Sequence, residues 1–153
     1  FERTLRALDE NLLNYTLWNY TADNTNARGD MWNDEDLSIF SRDQQGNPED
    51  IHSGGRALVS VVRPYPLATA GKPLSLFFDV KKKTFKYSFQ HAHTLTDPTI
   101  IFVPQYQYPN GHIIEVSDGE FEINQIDQTL IYHHSSDRSE HIVQIKPDKN
   151  TKN

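Results

Sequence analysis

The spacing of apolar residues is helical in the first part of the chain. Apolar residues recur three or four positions apart near the start, with charged residues between them, which predicts a helix over residues 1–11. Residues 13–20 are predicted to form a short strand, and residues 21–29 a polar loop rich in Asp, Asn and Gly. A helical turn is predicted within 34–40, and a short helix over 53–62. The order is that of a strand flanked by helices.

Beyond Pro66 the period of the pattern changes to two. Phe85, Tyr87 and Phe89 alternate with Lys86 and Ser88, as expected for a strand with one buried face. The dipeptides Asn-Gly at 110–111 and Asp-Gly at 118–119 are predicted to form hairpin turns. Roughly seven short strands are predicted in this part, which indicates an antiparallel β-sandwich. The predicted strands cover residues 74–78, 85–89, 98–103, 112–117, 120–123, 128–133 and 140–146.

The change of period predicts two unequal parts. A strand that delivers a tryptophan to a polar loop is how a (β/α)8 barrel presents a side chain to its active-site face. Residues 1–63 are therefore predicted to be the C-terminal end of such a barrel, with its last strand and helix, and residues 64–153 a β-sandwich. Because one barrel strand cannot bury enough apolar surface to fold alone, the remainder of the barrel is the expected partner. We expect the chain to be the tail of a larger enzyme.

Charge and composition narrow the range of partners. Residues 1–62 carry five Arg and eleven Asp or Glu, a net charge of −6, whereas 63–153 balance at ten and ten. An acidic surface repels phosphate backbones, so no nucleic-acid partner is expected. The absence of cysteine excludes disulfides and thiolate chemistry. No segment approaches the roughly 18 apolar residues of a membrane span, so no transmembrane segment is expected.

Three motifs are distinctive: Trp18-Asn-Tyr20, Gly29-Asp-Met-Trp-Asn-Asp-Glu-Asp-Leu-Ser38 and Val62-Arg-Pro-Tyr-Pro-Leu-Ala-Thr-Ala-Gly71. They resemble the C-terminal part of the family 5 glycoside hydrolases. The nearest branch is the fungal endoglycoceramidase-related β-glucosidases, which act on glucosylceramide and steryl glucosides. The resemblance implies a retaining β-glucosidase for glucosylated lipids that needs no cofactor, with this chain supplying its last barrel unit and a buttressing β-sandwich.

The resemblance also implies substrate-binding residues. Trp18 matches a tryptophan at the end of the eighth strand that forms the floor beneath the glucose, and an indole face suits the C–H patch of a sugar ring. Asp23, Asn24 and Trp32 follow on the loop and are expected to line the entrance, with Trp32 against the lipid. Alternatives stay open: Trp18 as a barrel core residue, Asx turns or caps for the polar pair, and packing for Trp32. Asp30 is expected to form an Asx turn.

No catalytic residue is expected in this chain. A retaining glycosidase needs two carboxylates about 5–5.5 Å apart, and family 5 supplies both as glutamates from the fourth and seventh strands. Both are expected upstream of Phe1. Glu10 lies at a helix end and Glu35 follows the eighth strand, so neither matches a catalytic motif.

Histidine pairs are weak candidates for a metal. His91 and His93 have the same-face spacing of a metal-binding pair on a strand. With no third ligand in sequence reach, they are expected to form a polar cap at the strand's end. His133 and His134 point to opposite faces and are weaker still, so no metal site is expected.

A non-catalytic module is the alternative function. The β-sandwich alone would then recognise carbohydrate or a membrane, and this needs an exposed aromatic platform on the sandwich. Most aromatic residues there occupy alternating, core-like positions, and both tryptophans precede Pro64. The pattern therefore favours a buttress. The segment Arg63-Pro-Tyr-Pro66 is expected to be a rigid junction, with Tyr65 buried in the intact protein.

Overall fold

The structure, a computed structural model, describes residues 1–32 and 35–149. Its contacts divide the chain into two compact units, one of residues 14–61 with Phe1 and one of residues 2–13 with 62–153. In the described residues the helices are α1 (Glu2–Glu10), a 3-10 helix (Arg42–Gln44) and α2 (Leu58–Val61). The strands are β1 (Tyr65–Ala68), β2 (Gly71–Asp79), β3 (Thr84–His91), β4 (Thr99–Phe102), β5 (His112–Val116), β6 (Glu120–Asn124), β7 (Thr129–His133) and β8 (Glu140–Pro147).

The larger unit is an antiparallel β-sandwich, which confirms that part of the predicted fold. One sheet has the strand order β1-β4-β7-β6 and the other β2-β3-β8-β5. Strands β2 to β8 correspond to the seven predicted strands. The sequence pattern does not predict β1, which contains Pro66 and pairs only with β4 at the edge of its sheet. An edge strand tolerates proline because one of its sides needs no ladder donors.

The core is built on the inward face of β3. Phe85, Tyr87 and Phe89 are fully buried, as their alternation predicts. The rings of Tyr87 and Phe89 stack with centroids 5.8 Å apart, and Phe89 meets Tyr132 of the opposite sheet edge to face at 6.1 Å. Such aromatic pairs add about 0.5–1.5 kcal/mol each beyond the area they bury. The two sheets are thus held together by aromatic packing.

Neither predicted glycine turn is a hairpin. Gly111 precedes β5 and Gly119 links β5 to β6, yet β5 and β6 lie in different sheets. Both glycines have positive φ, and a Cβ on Gly119 would clash with the His133 carbonyl oxygen. Turn residues indicate that the chain reverses direction, but they do not determine which strands then pair. The prediction that these two turns close hairpins is therefore wrong. The hairpins are β2–β3 and β6–β7.

Helix α1 belongs with the sandwich unit, against β2. Its buried side chains are Leu5 and Asp9. The Asp9 carboxylate forms an ion pair with Arg63 at 2.6 Å, and both side chains are nearly inaccessible to solvent. The Arg63 guanidinium also lies 5.4 Å from the centroid of the Phe78 ring, within cation–π range. Burial raises the pKa of the Asp9 carboxyl, and the charge of Arg63 opposes that shift.

The smaller unit departs from its predicted secondary structure. Residues 13–20 form no strand, and the predicted helix over 53–62 is confined to α2. Residues 35–40 are not helical, while Asp34 lies outside the described residues. A barrel strand needs ladder partners on both sides, and among the described residues no strand pairs with 13–20. The assignment of residues 1–63 to a barrel and 64–153 to a sandwich stays a prediction.

Two further expectations concern the burial of Tyr65 and the absence of a membrane-spanning helix. Tyr65 is 43% exposed and its ring contacts Phe102 at 5.5 Å, so its burial in the intact protein stays a prediction. Helices long and apolar enough to span a membrane are absent from the described residues.

The buried ion pair gives a first prediction. Replacing Arg63 with Met leaves the Asp9 carboxylate buried without its partner, which is expected to cost about 3–5 kcal/mol of unfolding free energy. Urea unfolding of the intact protein, followed by circular dichroism, measures the loss. Arg6→Met is the control, because Arg6 pairs only with exposed Glu2 and Glu10 and should change stability by less than about 1 kcal/mol. Equal effects of the two variants would contradict this account of Arg63.

Candidate functional site

Trp18 is an exposed tryptophan on an anchored segment. Its side chain is 66% exposed, and its peptide bond to Asn19 is cis. The next residue is held on two sides: the Asn19 amide donates to Asp30 Oδ2 at 3.0 Å, and the Ile39 N–H donates to the Asn19 carbonyl at 2.9 Å. The indole is therefore carried by fixed backbone while its ring remains available to a ligand.

Asp30 links the Asn19 side chain, next to Trp18, to the backbone of Trp32. Its side chain is buried, with Oδ2 accepting from Asn19 and Oδ1 accepting from the Trp32 N–H at 3.0 Å. The contact to Trp32, two residues on, is the Asx-type turn expected from the sequence. The Trp32 side chain is 61% exposed. A single carboxylate thus accepts hydrogen bonds from the Asn19 side chain, next to Trp18, and from the main chain of Trp32.

The two polar candidates differ in exposure. Asn24 is fully buried, and its amide donates to Asp36 Oδ1 at 3.0 Å. Its side chain therefore supports the loop in this arrangement, and contact with substrate stays a prediction. Asp23 is exposed and lines a shallow pocket of about 400 Å³ together with Arg28 and Arg42. Of the two, only Asp23 offers oxygens to a ligand at the surface.

Arg56 organises the loop, and sequence reasoning missed it. Its guanidinium donates to Asp36 Oδ1 at 2.6 Å and to Asn26 Oδ1 at 2.7 Å. The hydrogen bond from Arg56, followed by that from Asn24, lowers the pKa of the exposed Asp36 carboxyl. The Ser41 hydroxyl donates to the same Asn26 oxygen at 3.1 Å. Nothing local in the sequence links Arg56 to Asn26, 30 positions earlier.

The histidines of the larger unit are more closely grouped than the sequence indicates. His91 contacts His93 as expected, but it also contacts His141 and His134. No third ligand lies near His91 in the sequence, but the fold brings two further imidazoles to it. Strand pairing places β8 next to β3 across about 50 residues of chain.

Comparison with known proteins places these features in context. Residues 63–146 match the glycoside hydrolase family 5 C-terminal domain. A glucosylceramidase of Rhizopus delemar is 37% identical over 141 residues, which cover 83% of this chain and 20% of that protein. A glucosylceramidase of Cryptococcus neoformans is 33% identical over 116 residues, covering 66% of this chain and 16% of that protein.

A solved structure extends the likeness to both units. The crystal structure of Cryptococcus neoformans sterylglucosidase 1 has a TM-score of 0.84 and 30% identity, covering 97% of this chain and 23% of the other. The chain thus spans about a fifth of the length of the curated relatives it matches.

The loop geometry gives a second prediction. Gly29 has φ +60°, and a Cβ there would clash with the Glu35 carbonyl oxygen, which accepts from the Asp30 N–H. Gly29→Ala should therefore destabilise the loop by more than about 1 kcal/mol. Hydrogen exchange at the Asp30 amide measures this loss of stability, and exchange is expected to be faster in Gly29→Ala than in the wild type.

Gly46→Ala is the matched control, because no atom lies within 4 Å of a Cβ at that position. It should leave exchange at Asp30 unchanged. Unchanged exchange in Gly29→Ala would contradict the constraint on the loop.

Proposed function

Because the chain belongs to family 5 of the glycoside hydrolases, as a C-terminal domain member, we propose that it is the C-terminal part of a retaining β-glucosidase. The substrates are glucosylated lipids, steryl β-glucoside or glucosylceramide, in line with the names of its relatives. The resemblance seen in the sequence motifs is confirmed at the level of the family. Activity and substrate are proposals about the whole protein.

The observation that carries the proposal is the exposed indole of Trp18. An indole that is 66% exposed offers a large apolar ring face to a ligand. A glucose ring suits that face, since its C–H face packs on an aromatic ring. We assign Trp18 as the platform under the glucose. Residues 1–63 are proposed to supply the C-terminal end of the catalytic barrel in the intact protein.

The chemistry comes from elsewhere in the protein. Retention requires an acid/base carboxyl and a nucleophilic carboxylate about 5–5.5 Å apart. We propose that both glutamates lie in other barrel strands. Within this chain, the role of Trp18 is to hold the glucose ring so that its anomeric carbon faces those groups, and a misplacement of about 1 Å costs roughly 10²-fold in rate.

Trp32 and Asp23 extend the site towards its entrance. Trp32 is 61% exposed and fixed at its backbone by Asp30, which suits a contact with the apolar lipid. Asp23 is exposed and suits a hydrogen bond to a sugar hydroxyl. Asn24 supports the loop from its buried side, through the hydrogen bonds that Asp36 accepts from Asn24 and Arg56.

The β-sandwich is proposed to buttress the barrel rather than bind ligand. A carbohydrate-binding module needs an exposed aromatic platform. The sandwich has a cavity of about 290 Å³ beside Tyr108 and His112, but Tyr108 is only 3% exposed. Tyr87 and Tyr132 are fully buried, and Tyr65 and Phe77 are only 43% and 39% exposed.

The chain alone is expected to lack hydrolytic activity, because the acid and the nucleophile are outside it. The measurement is release of an aryl leaving group from an aryl β-glucoside by purified residues 1–153. Turnover above a buffer blank would contradict the assignment of the catalytic glutamates to other strands.

The platform gives a further prediction. Trp18→Ala in the intact protein should lower kcat/KM by roughly 10²-fold or more, which corresponds to about 2.7 kcal/mol or more of lost transition-state stabilisation. The loss should be similar for an aryl β-glucoside and a steryl glucoside, because the platform contacts only the glucose. Trp32→Ala is the matched variant and should impair the lipid glucoside more than the aryl glucoside.

Thermal unfolding is the control for Trp18→Ala. Truncating a buried core tryptophan costs about 3–5 kcal/mol of folding free energy, whereas an exposed platform should cost far less. A variant that is strongly destabilised but keeps its kcat/KM would make Trp18 a core residue and remove this assignment.

A further inference from the structure

Three histidines meet at one end of the β-sandwich, contributed by both sheets. His91 is the last residue of β3, and His141 lies on the neighbouring strand β8. His134 directly follows β7, which belongs to the other sheet. His91 and His141 are buried and His134 is half-buried. This arrangement draws one side chain from each of three separate segments to the same point.

The distances suit a small ion. One ring nitrogen from each histidine lies within 4.8 Å of the others. The ring centroids are 4.6 Å apart for His134 and His141, and 4.9 Å for His91 and His134. Tetrahedral zinc with Zn–N bonds of about 2.0–2.1 Å sets nitrogens roughly 3.4 Å apart. His91 Nδ1 and His141 Nε2 lie 2.9 Å apart, so the observed separations, 2.9 Å to at most 4.8 Å, span that value.

The supporting contacts are those of metal-binding histidines. Asp118 Oδ2 accepts from His141 Nδ1 at 2.8 Å, which leaves His141 Nε2 directed at the group. His91 Nε2 pairs with His93 Nδ1 at 2.9 Å, which leaves His91 Nδ1 facing His141. A carboxylate behind a histidine fixes its tautomer and raises its basicity as a ligand.

Neighbouring donors hold the Asp118 carboxylate in place. The Ser117 hydroxyl donates to Asp118 Oδ2 at 2.6 Å, and the Ser135 N–H donates to Asp118 Oδ1 at 2.8 Å. The carboxylate is therefore fixed where it accepts from the His141 ring.

His134 distinguishes a metal site from a simple hydrogen-bonded chain. A relay from His93 through His91 and His141 to Asp118 satisfies those four side chains without any ion. It leaves His134 Nδ1 buried without a hydrogen-bond partner among the described residues. Buried polar atoms without partners are uncommon and call for one.

We propose that His91, His134 and His141 bind one Zn²⁺ ion through three imidazole nitrogens, with water as the fourth ligand. Imidazole donors suit zinc among the divalent metals. The ion joins β3 and β8 of one sheet to the segment after β7 of the other. It acts as a cross-link between sheets in a chain that has no cysteine for a disulfide. The proposal rests on the sandwich alone and is independent of the glycosidase assignment.

The test measures metal binding rather than activity. The intact protein is treated with a chelator, dialysed, and titrated with Zn²⁺, with bound zinc counted by elemental analysis. His134→Gln should bind one equivalent fewer than the wild type, and zinc should no longer raise its melting temperature as much. His133→Gln is the matched control, because His133 is exposed and the substitution leaves His134 in place. The His133→Gln variant should bind as much zinc as the wild type.

Asp118→Asn tests the supporting carboxylate. Removing such a partner typically weakens metal binding 10- to 100-fold, so Asp118→Asn should raise the zinc dissociation constant by that factor at unchanged stoichiometry. An unchanged dissociation constant would contradict the role given to Asp118.

Anomalous scattering at the zinc edge tests whether the wild-type protein binds zinc at these histidines, even if a variant fails to fold. Wild-type crystals soaked in Zn²⁺ should show a peak between His91, His134 and His141. Zinc bound only elsewhere, no stoichiometric binding, or equal stoichiometry in folded His134→Gln and wild type would each overturn the proposal. The hydrogen-bonded relay alone would then describe these histidines.

Discussion

The sandwich depends on the inward face of β3. A strand has a period of two, so the four alternate positions Phe85, Tyr87, Phe89 and His91 must all point between the sheets. The first three fill that space with aromatic rings. The fourth is an imidazole in the same row, and a buried imidazole requires partners. The histidines group together because His91 occupies the next inward-facing position of β3 after Phe89.

The sequence predicts what local periodicity controls and misses what depends on distant contacts. Strands β2 to β8 follow from alternation, whereas the partner strands across the Gly111 and Gly119 turns do not, because a reversal of direction leaves the sheet unspecified. The packing of α1 relies on Asp9 and Arg63, 54 positions apart. The strand predicted over 13–20 needs ladder partners that the described residues lack. The family, by contrast, was visible in short motifs and is shown by the comparison.

The candidate site was predictable only in part for the same reason. The tryptophans and the acidic loop stand out in the sequence, and the Asx turn of Asp30 is local. The role of Arg56 is not predictable from the sequence, because it depends on hydrogen bonds to Asn26 and Asp36. Asn24 is fully buried and donates to Asp36, as Arg56 does, while Trp18 and Trp32 are exposed. The loop is thus a rigid frame with aromatic side chains on its surface, which is the form expected of a substrate-positioning element.

The central claim is that Trp18 is the platform beneath the glucose of the substrate. A crystal structure of the intact protein with a glucose-mimicking inhibitor tests it most directly. The account predicts the indole face of Trp18 in van der Waals contact, at about 4 Å, with carbon atoms of the inhibitor's sugar ring. An inhibitor bound between the catalytic glutamates with Trp18 packed away from it, inside the barrel, would contradict the account.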